Sequence, residues 1–260
     1  MRTTILICCY HRADYLELHL QSLKKHNDIS KYNIVVLNDG VHDNTFSVAQ
    51  YHDVNYLFTG RRNEIKPQWR VPGFAFNVGI QQYPSDIIVL TCAEMYHLNN
   101  ALEQVIESVT EDSDSLGVPK VYDDHGPLIK SLRIPQNKKY YISRSIRRVK
   151  RMTHQRYEEQ DPFLANEFMP YFLAVRRQHL IDIGGYDEDF IGIGADDNDI
   201  IDRLLLKGCH YINTDGEVVH LHHGKHKNLK DNKRYLHNVN LWHKRKGQLI
   251  RNIGKQWGIL

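Results

Sequence analysis

Thr3-Thr-Ile-Leu-Ile-Cys-Cys9 is a short apolar run that stops abruptly at the polar Tyr10-His11-Arg12. A continuous apolar run of this length, bounded by polar residues, reads as a strand buried on both faces, the kind found in parallel sheets. Working outward, Asp14 opens a helical pattern in which Leu16, Leu20 and Leu23 recur at helical spacing. Residues 32–37 repeat the buried-strand pattern and end at Asn38-Asp39-Gly40, and residues 54–58 read as a third strand. A helix over 74–82, a strand over 86–90 ending in Thr91-Cys-Ala-Glu94, and an amphipathic helix over 101–109 follow. Strands alternating with helices predict an α/β, doubly wound, mostly parallel sheet. In such sheets ligands bind beyond the carboxyl ends of the strands. Arg12, Asp39 and Glu94 all stand just past such ends.

The second half is less regular. Residues 171–175 read as a strand, 178–183 as a short helix, and 199–207 as a helix stopped by Gly208. Between His125 and Tyr157 there is no acidic residue, while Lys130, Arg133, Lys138, Lys139, Arg144, Arg147, Arg148, Lys150, Arg151 and Arg156 crowd together. A second basic run extends from Lys225 to the end through Lys227, Lys230, Lys233, Arg234, Lys244, Arg245, Lys246, Arg251 and Lys255. Charge runs usually form solvated surface, but these two are also suited to an anionic partner.

Bulk composition bounds the class. The chain has 260 residues, 41% hydrophobic and 25% charged, with a formal charge of +3. These values suit one α/β domain and exclude disorder; the net charge is too small to mark a polyanion binder by itself. The four cysteines show neither zinc spacing nor a disulfide framework, and read as buried thiols of a reducing compartment. No stretch approaches the ~20 apolar residues of a membrane helix, so the expected location is cytoplasmic, with peripheral membrane contact through the basic segments as an option.

Four segments carry chemistry. Asp39, before a glycine that permits a sharp turn, can accept hydrogen bonds from a base or ribose, although an ordinary Asp-Gly turn reads the same way. Glu94 can help hold a hard divalent ion, but needs partners from elsewhere. In Gly184-Gly-Tyr-Asp-Glu-Asp-Phe190 and Gly192-Ile-Gly-Ala-Asp-Asp-Asn-Asp199, glycine-rich turns precede a cluster of carboxylates at a helix start. The helix dipole favours acids there, and a carboxylate so placed could also act as a general base. His220-Leu-His-His223 puts His220 and His222 on one face if it continues a strand; imidazole is a good ligand for an ion such as Mn²⁺, whereas a surface cluster is the plainer reading.

Together these segments resemble the GT-A glycosyltransferases. The resemblance is to the family-2-like group whose carboxyl half is similar to the β-1,4-galactosyltransferases and polypeptide GalNAc-transferases. It rests on Cys9-Tyr-His-Arg12, Asn38-Asp-Gly40, Ala75-Phe-Asn-Val-Gly79, Cys92-Ala-Glu94, Gly184 to Asp199 and the late histidines. It implies a nucleotide-sugar donor, with a UDP-sugar expected, bound by Arg12, Asp39, Asn77 and Glu94. It implies Mn²⁺ or Mg²⁺ on Glu94 with His220 and His222. Asp197 becomes the catalytic base, Asp196 an acceptor-hydroxyl ligand, and Gly194 and Gly185 part of the acceptor site, with inversion at the anomeric carbon. The implied layout is a GT-A domain over 1–225, its nucleotide half 1–110 and acceptor half 111–225, followed by a basic helical tail over 226–260. The basic stretch 130–156 falls where the family carries a variable acceptor-side loop.

The sequence departs from the pattern at three places: Cys92 and Asn38 stand where Asp is expected, and Ile193 where Trp often sits. A thiol is a soft ligand, poorly matched to Mn²⁺ or Mg²⁺. Three functions therefore stay open: a transferase building a surface or lipid-linked glycan, one acting on a polyanion such as hydroxymethylated DNA, and an inactive nucleotide-sugar-binding module.

Overall fold

The computed structural model describes residues 1–40, 42–60, 71–134, 138–157, 172–224 and 233–260. Tyr171, Lys225, His226, Lys227 and Lys230, as well as the expected boundary at 225/226, lie outside them. The described strands are β1 (Thr3–Cys9), β2 (Asn33–Asn38), β3 (Asn55–Phe58), β4 (Ile87–Cys92), β5 (Met95–His97), β6 (Ser115–Asp123), β7 (Phe172–Arg176) and β8 (His210–His220). They form one sheet in the order β3-β2-β1-β4-β7-β6-β8-β5. Pairings β1–β2, β1–β4, β2–β3 and β6–β8 are parallel, and those involving β7 or β5 antiparallel.

β1 shows why the sheet is doubly wound. Ile5, Ile7 and Cys9 pack beneath helices α1 (Ala13–His26) and α4 (Ala101–Glu111). Leu6 and Cys8 face the other way, toward α3 (Gly73–Gln82) and α8 (Asp196–Leu206). Alternate side chains of one strand thus enter two cores, which is why the run is apolar without interruption. The short helices α2 (Thr45–Tyr51), α5 (Pro127–Leu132) and α7 (Arg177–Asp182) complete the layers.

Several expectations are corrected. The strand expected over 86–90 runs on to Cys92, so Thr91 and Cys92 sit in the sheet and only Ala93-Glu94 form the turn into β5. The helix expected from Asp199 starts at Asp196, immediately after Ala195 in a left-handed conformation, φ +68°. β8 ends at His220, so His222 does not share a strand face with it. The basic stretch is not a loop: α5 and the 20-residue α6 (Lys138–Tyr157) occupy most of it. Ile142, Ile146 and the buried Val149 recur along α6 at helical spacing and pack on Leu128, Ile129 and Leu132 of α5.

The carboxyl-terminal segment is no loose tail in its described part. Helix α9 (Lys233–Arg245) lies on α8, where Trp242 Nε1 donates to Asp202 at 2.9 Å. Asn238 closes the turn before α8, accepting from Ile191 N at 3.0 Å and donating to Gly194 O at 3.0 Å. The chain then runs without helix through residues 246–260 and returns to the segment 184–189. Among the described residues no helix is long and apolar enough to cross a membrane.

Candidate active site

The sheet brings the carboxyl ends of β1, β2, β4, β6 and β8 to one edge. β6 runs antiparallel to β7, which runs antiparallel to β4, so β6 and β8 point the same way as β1. Arg12, Asp39, Glu94 and His220 therefore stand along a single edge, as ligands of such a sheet require.

Asp39 is buried, and its carboxylate accepts from Thr59 Oγ1 at 3.0 Å while its N–H donates to Cys9 O at 2.9 Å. Asn38 explains the first departure from the Asp-Asp pattern. Its amide donates to Tyr56 Oη at 3.1 Å and leans on Asp43 at 3.4 Å, while its oxygen accepts from Gly40 N at 3.0 Å. An aspartate here could accept the last bond but not donate the others.

At the next strand end, Arg12 Nε lies 3.1 Å from Glu94 Oε1, and its outer nitrogen 3.5 Å from His223 Nδ1. Tyr15 supports this cluster: its hydroxyl donates to His222 O at 2.9 Å, and its ring lies 5.8 Å from the Arg12 guanidinium. His222 itself is exposed, and His223, which the sequence reading passed over, supplies the imidazole beside Arg12. Burial lowers the pKa of His223, and the charge of Glu94 works against that shift. His220 stacks edge-on against His223 at 5.1 Å and lies 3.4 Å from Asp123. Three histidines within four residues cannot be ranked from sequence; the end of β8 ranks them.

Among the described residues no group of three His, Cys, Asp or Glu side chains could hold a metal ion. Cys92 adds nothing, because burial and the charge of Glu94 push its thiol well above the ordinary range. What remains is a carboxylate and one or two imidazoles at the strand ends. That set is too small for an all-protein metal cage.

Helix α8 begins with Asp196 and Asp197. Asp196 is 3% exposed and accepts from Gly73 N at 3.3 Å. Burial raises its carboxyl to about 6, against the pull of backbone N–H groups. Asp197 is half-buried, and enclosure together with the charge of Asp196 raises it well above the carboxylate range. The charge of Asp196 thus favours the proton on Asp197. Tyr186 lies beside them, fully buried, with its hydroxyl lacking a hydrogen-bond partner among the described residues. The charges of Glu94 and Asp197 both reach Cys92, and those of Asp39 and Glu94 both reach Cys8. Glu94 and Asp197 therefore act on one and the same thiol at the end of β4.

Asp199, one turn on, is treated differently. Arg203 Nε donates to it at 2.8 Å and Arg251 lies 2.6 Å away. Arg251 also lies 3.1 Å from Asp187, which Arg245 contacts from the other side. Neither Arg251 nor Arg203 was singled out by the sequence reading as a partner of these acids.

Asn77 and the glycines belong to this scaffold. Asn77 is fully buried; it donates to Tyr186 O at 2.8 Å and to Glu188 at 3.0 Å, and accepts from Tyr186 N at 2.7 Å. Its amide is engaged in bracing the turn. Gly185, at φ +65°, has room for no Cβ, which would meet Asn77 Oδ1 at 2.5 Å and Trp257 at 2.6 Å. Gly194, at φ +87°, is covered by the Tyr235 ring in the same way. Both are required by packing against the carboxyl-terminal segment.

A family model described as glycosyltransferase like family 2 matches residues 4–255. No curated protein matches the sequence. Among solved structures, the chain is similar to GalNAc-T7 crystallised with UDP, GalNAc and Mn²⁺, with 13% identity and a TM-score of 0.63 over 94% of this chain and 48% of that one. It is also similar to the mannosyltransferase PcManGT from Pyrobaculum calidifontis in complex with GDP-Man and Mn²⁺, with 16% identity and a TM-score of 0.53 over 94% of this chain and 61% of that one. The chain thus spans less than two thirds of either protein, and the likeness is one of fold.

Proposed function

Because the chain belongs to the glycosyltransferase like family 2 and has the GT-A fold, we propose that it transfers a sugar from a nucleotide-sugar donor to an acceptor hydroxyl with inversion. The observation that carries this reading is the enclosed Asp196–Asp197 pair at the start of α8, meeting the Arg12–Glu94 cluster over one sheet edge. The complexes of the two structural neighbours, one with UDP and GalNAc and one with GDP-Man, support a nucleotide-sugar.

In this reading Asp39 receives the nucleoside, and Arg12 leaves Glu94 for the diphosphate, where a guanidinium fork matches phosphate oxygens. A divalent ion, Mn²⁺ or Mg²⁺, held by Glu94 with His223 or His220, would supply further positive charge to the leaving diphosphate. Asp197 takes the proton of the acceptor hydroxyl as its oxygen bonds to the anomeric carbon and the bond to the diphosphate breaks. Asp196 holds a neighbouring acceptor hydroxyl, and its charge makes Asp197 the stronger base. Asn77, Gly185 and Gly194 serve as scaffold, and residues 1–225 with the packed segment 233–260 act as one catalytic unit.

The test is Asp197→Asn, assayed for transfer and, by thermal shift, for stabilisation by UDP- and GDP-sugars with and without Mn²⁺. Transfer should fall by at least about a thousandfold, in the range seen when a general base and its positioning are both lost, while donor stabilisation persists. Wild-type turnover in the variant would remove Asp197 as the base. Absence of any nucleotide-sugar effect on the wild type would remove the transferase reading altogether.

A further inference from the structure

Helix α6 handles charge in two ways. Its inner stripe, Ile142, Ile146 and Val149, is packed on α5, and Ser145 bonds Ser131 Oγ at 2.7 Å. The basic residues that border this inner side are neutralised: Lys150 lies 2.6 Å from Glu217, and Arg133, just before the helix, 2.6 Å from Asp14. On the opposite side stand Arg144, Arg147, Arg148 and Arg151, spaced i, i+3, i+4, i+7 and all exposed. None of the four has an ion-pair partner among the described residues. With Tyr140 they line a concavity of about 540 Å³. Four like charges on one helix face repel each other, and a bound polyanion would relieve that repulsion.

We infer that this concavity binds the phosphate groups of a phosphorylated glycan, the acceptor on which the transferase acts; the acceptor role rests on the function proposed above. Every cation in it is an arginine, whose planar fork grips phosphate oxygens in pairs, where lysine offers only a point charge. The stripe is ~10 Å long, seven residues at ~1.5 Å each, which suits two or three phosphates of a flexible chain. Duplex DNA uses a far broader surface, typically ~1,000 Å² or more. A bilayer calls for an apolar face to enter it, and the lining has only the Tyr140 ring. That ring provides an apolar surface for a sugar face.

The experiment uses the full chain and a fluorescent oligosaccharide linked by phosphodiesters, alongside the same oligosaccharide without phosphate. Anisotropy titrations should show the phosphorylated probe binding at least tenfold more tightly, with affinity falling as salt rises. The double variant Arg147→Ala/Arg148→Ala should lose at least tenfold of that affinity, and Arg147→Lys/Arg148→Lys should lose most of it despite unchanged charge. Donor-sugar hydrolysis should be unchanged in both variants, so a failure here and a failure of the transferase reading are separable. Equal binding of the two probes, or wild-type affinity in either variant, overturns the inference. So does tighter binding to vesicles of phosphatidylglycerol or to duplex DNA than to the phosphorylated oligosaccharide.

Discussion

The acidic segment 184–199 and the strand-end cluster around Arg12 and Glu94 both set carboxylates against arginines, but at very different depths. Asp187, Asp199 and Arg251 are each 3% exposed or less, whereas Arg12 retains 29% and Glu94 13%. The first group is braced from behind by Asn77, Asn252 and Trp257, which fix the backbone of 184–188. The second rests on the ends of β1, β4 and β8, with Tyr15 alongside. The proposed acceptor side is thus a rigid wall built in advance, and the proposed donor side a set of charges free to change partners. Preorganisation of the base and adaptability toward the diphosphate are the two demands of group transfer.

If that contrast holds, equivalent arginine deletions must have unequal effects. Arg251→Met leaves Asp187 and Asp199 short of a buried partner and should cost about 3–5 kcal/mol, read as a fall in urea midpoint. Next in size, Gly185→Ala forces a Cβ into Asn77 and Trp257 at positive φ and should cost about 2–3 kcal/mol. A neutral effect would show that the wall is not close-packed.

Asp196→Asn should do the reverse and stabilise. A carboxyl raised to about 6 holds its proton more tightly folded than unfolded. Its contribution to stability is full at low pH and is lost as pH rises through the folded value. The variant should gain about 1–2 kcal/mol at pH 7 to 8, with this ionisation gain vanishing below about pH 4, the unfolded value. Turnover should drop, and the acid limb of its pH–rate profile should move to lower pH, because the charge of Asp196 helps raise Asp197. Smallest for the fold is Arg12→Met, a partly exposed pair worth under about 1 kcal/mol, though donor affinity should fall about tenfold. A large loss of stability there would make the donor side as rigid as the acceptor side.

The sequence exposed this contrast unevenly. β1, β2 and β4 were legible because burial on both faces leaves an unbroken apolar run. β6 and β8 were not: Gly117, Pro119 and Lys120 interrupt one, and most of His210 to Gly216 in the other is polar and partly exposed. The apolar stripe of α6 was hidden among its eight Lys and Arg residues. At the site, Asp196, Asp197, Asp39 and Glu94 were legible from their positions after strands or before a helix. His223 was not, since only the end of β8 distinguishes it from its neighbours. Arg251 and Trp257 could not be linked to the acidic turn, because partners some fifty residues apart leave no local pattern.

That separation has a consequence during synthesis. Arg251 is added roughly fifty residues after Asp199, which at ~5–20 residues per second is a delay of about 3–10 s. Over that interval the nascent chain carries Asp187 and Asp199 without the guanidinium that later joins them. The wall around Asp187 and Asp199 therefore cannot close while the ribosome is still on the preceding helix.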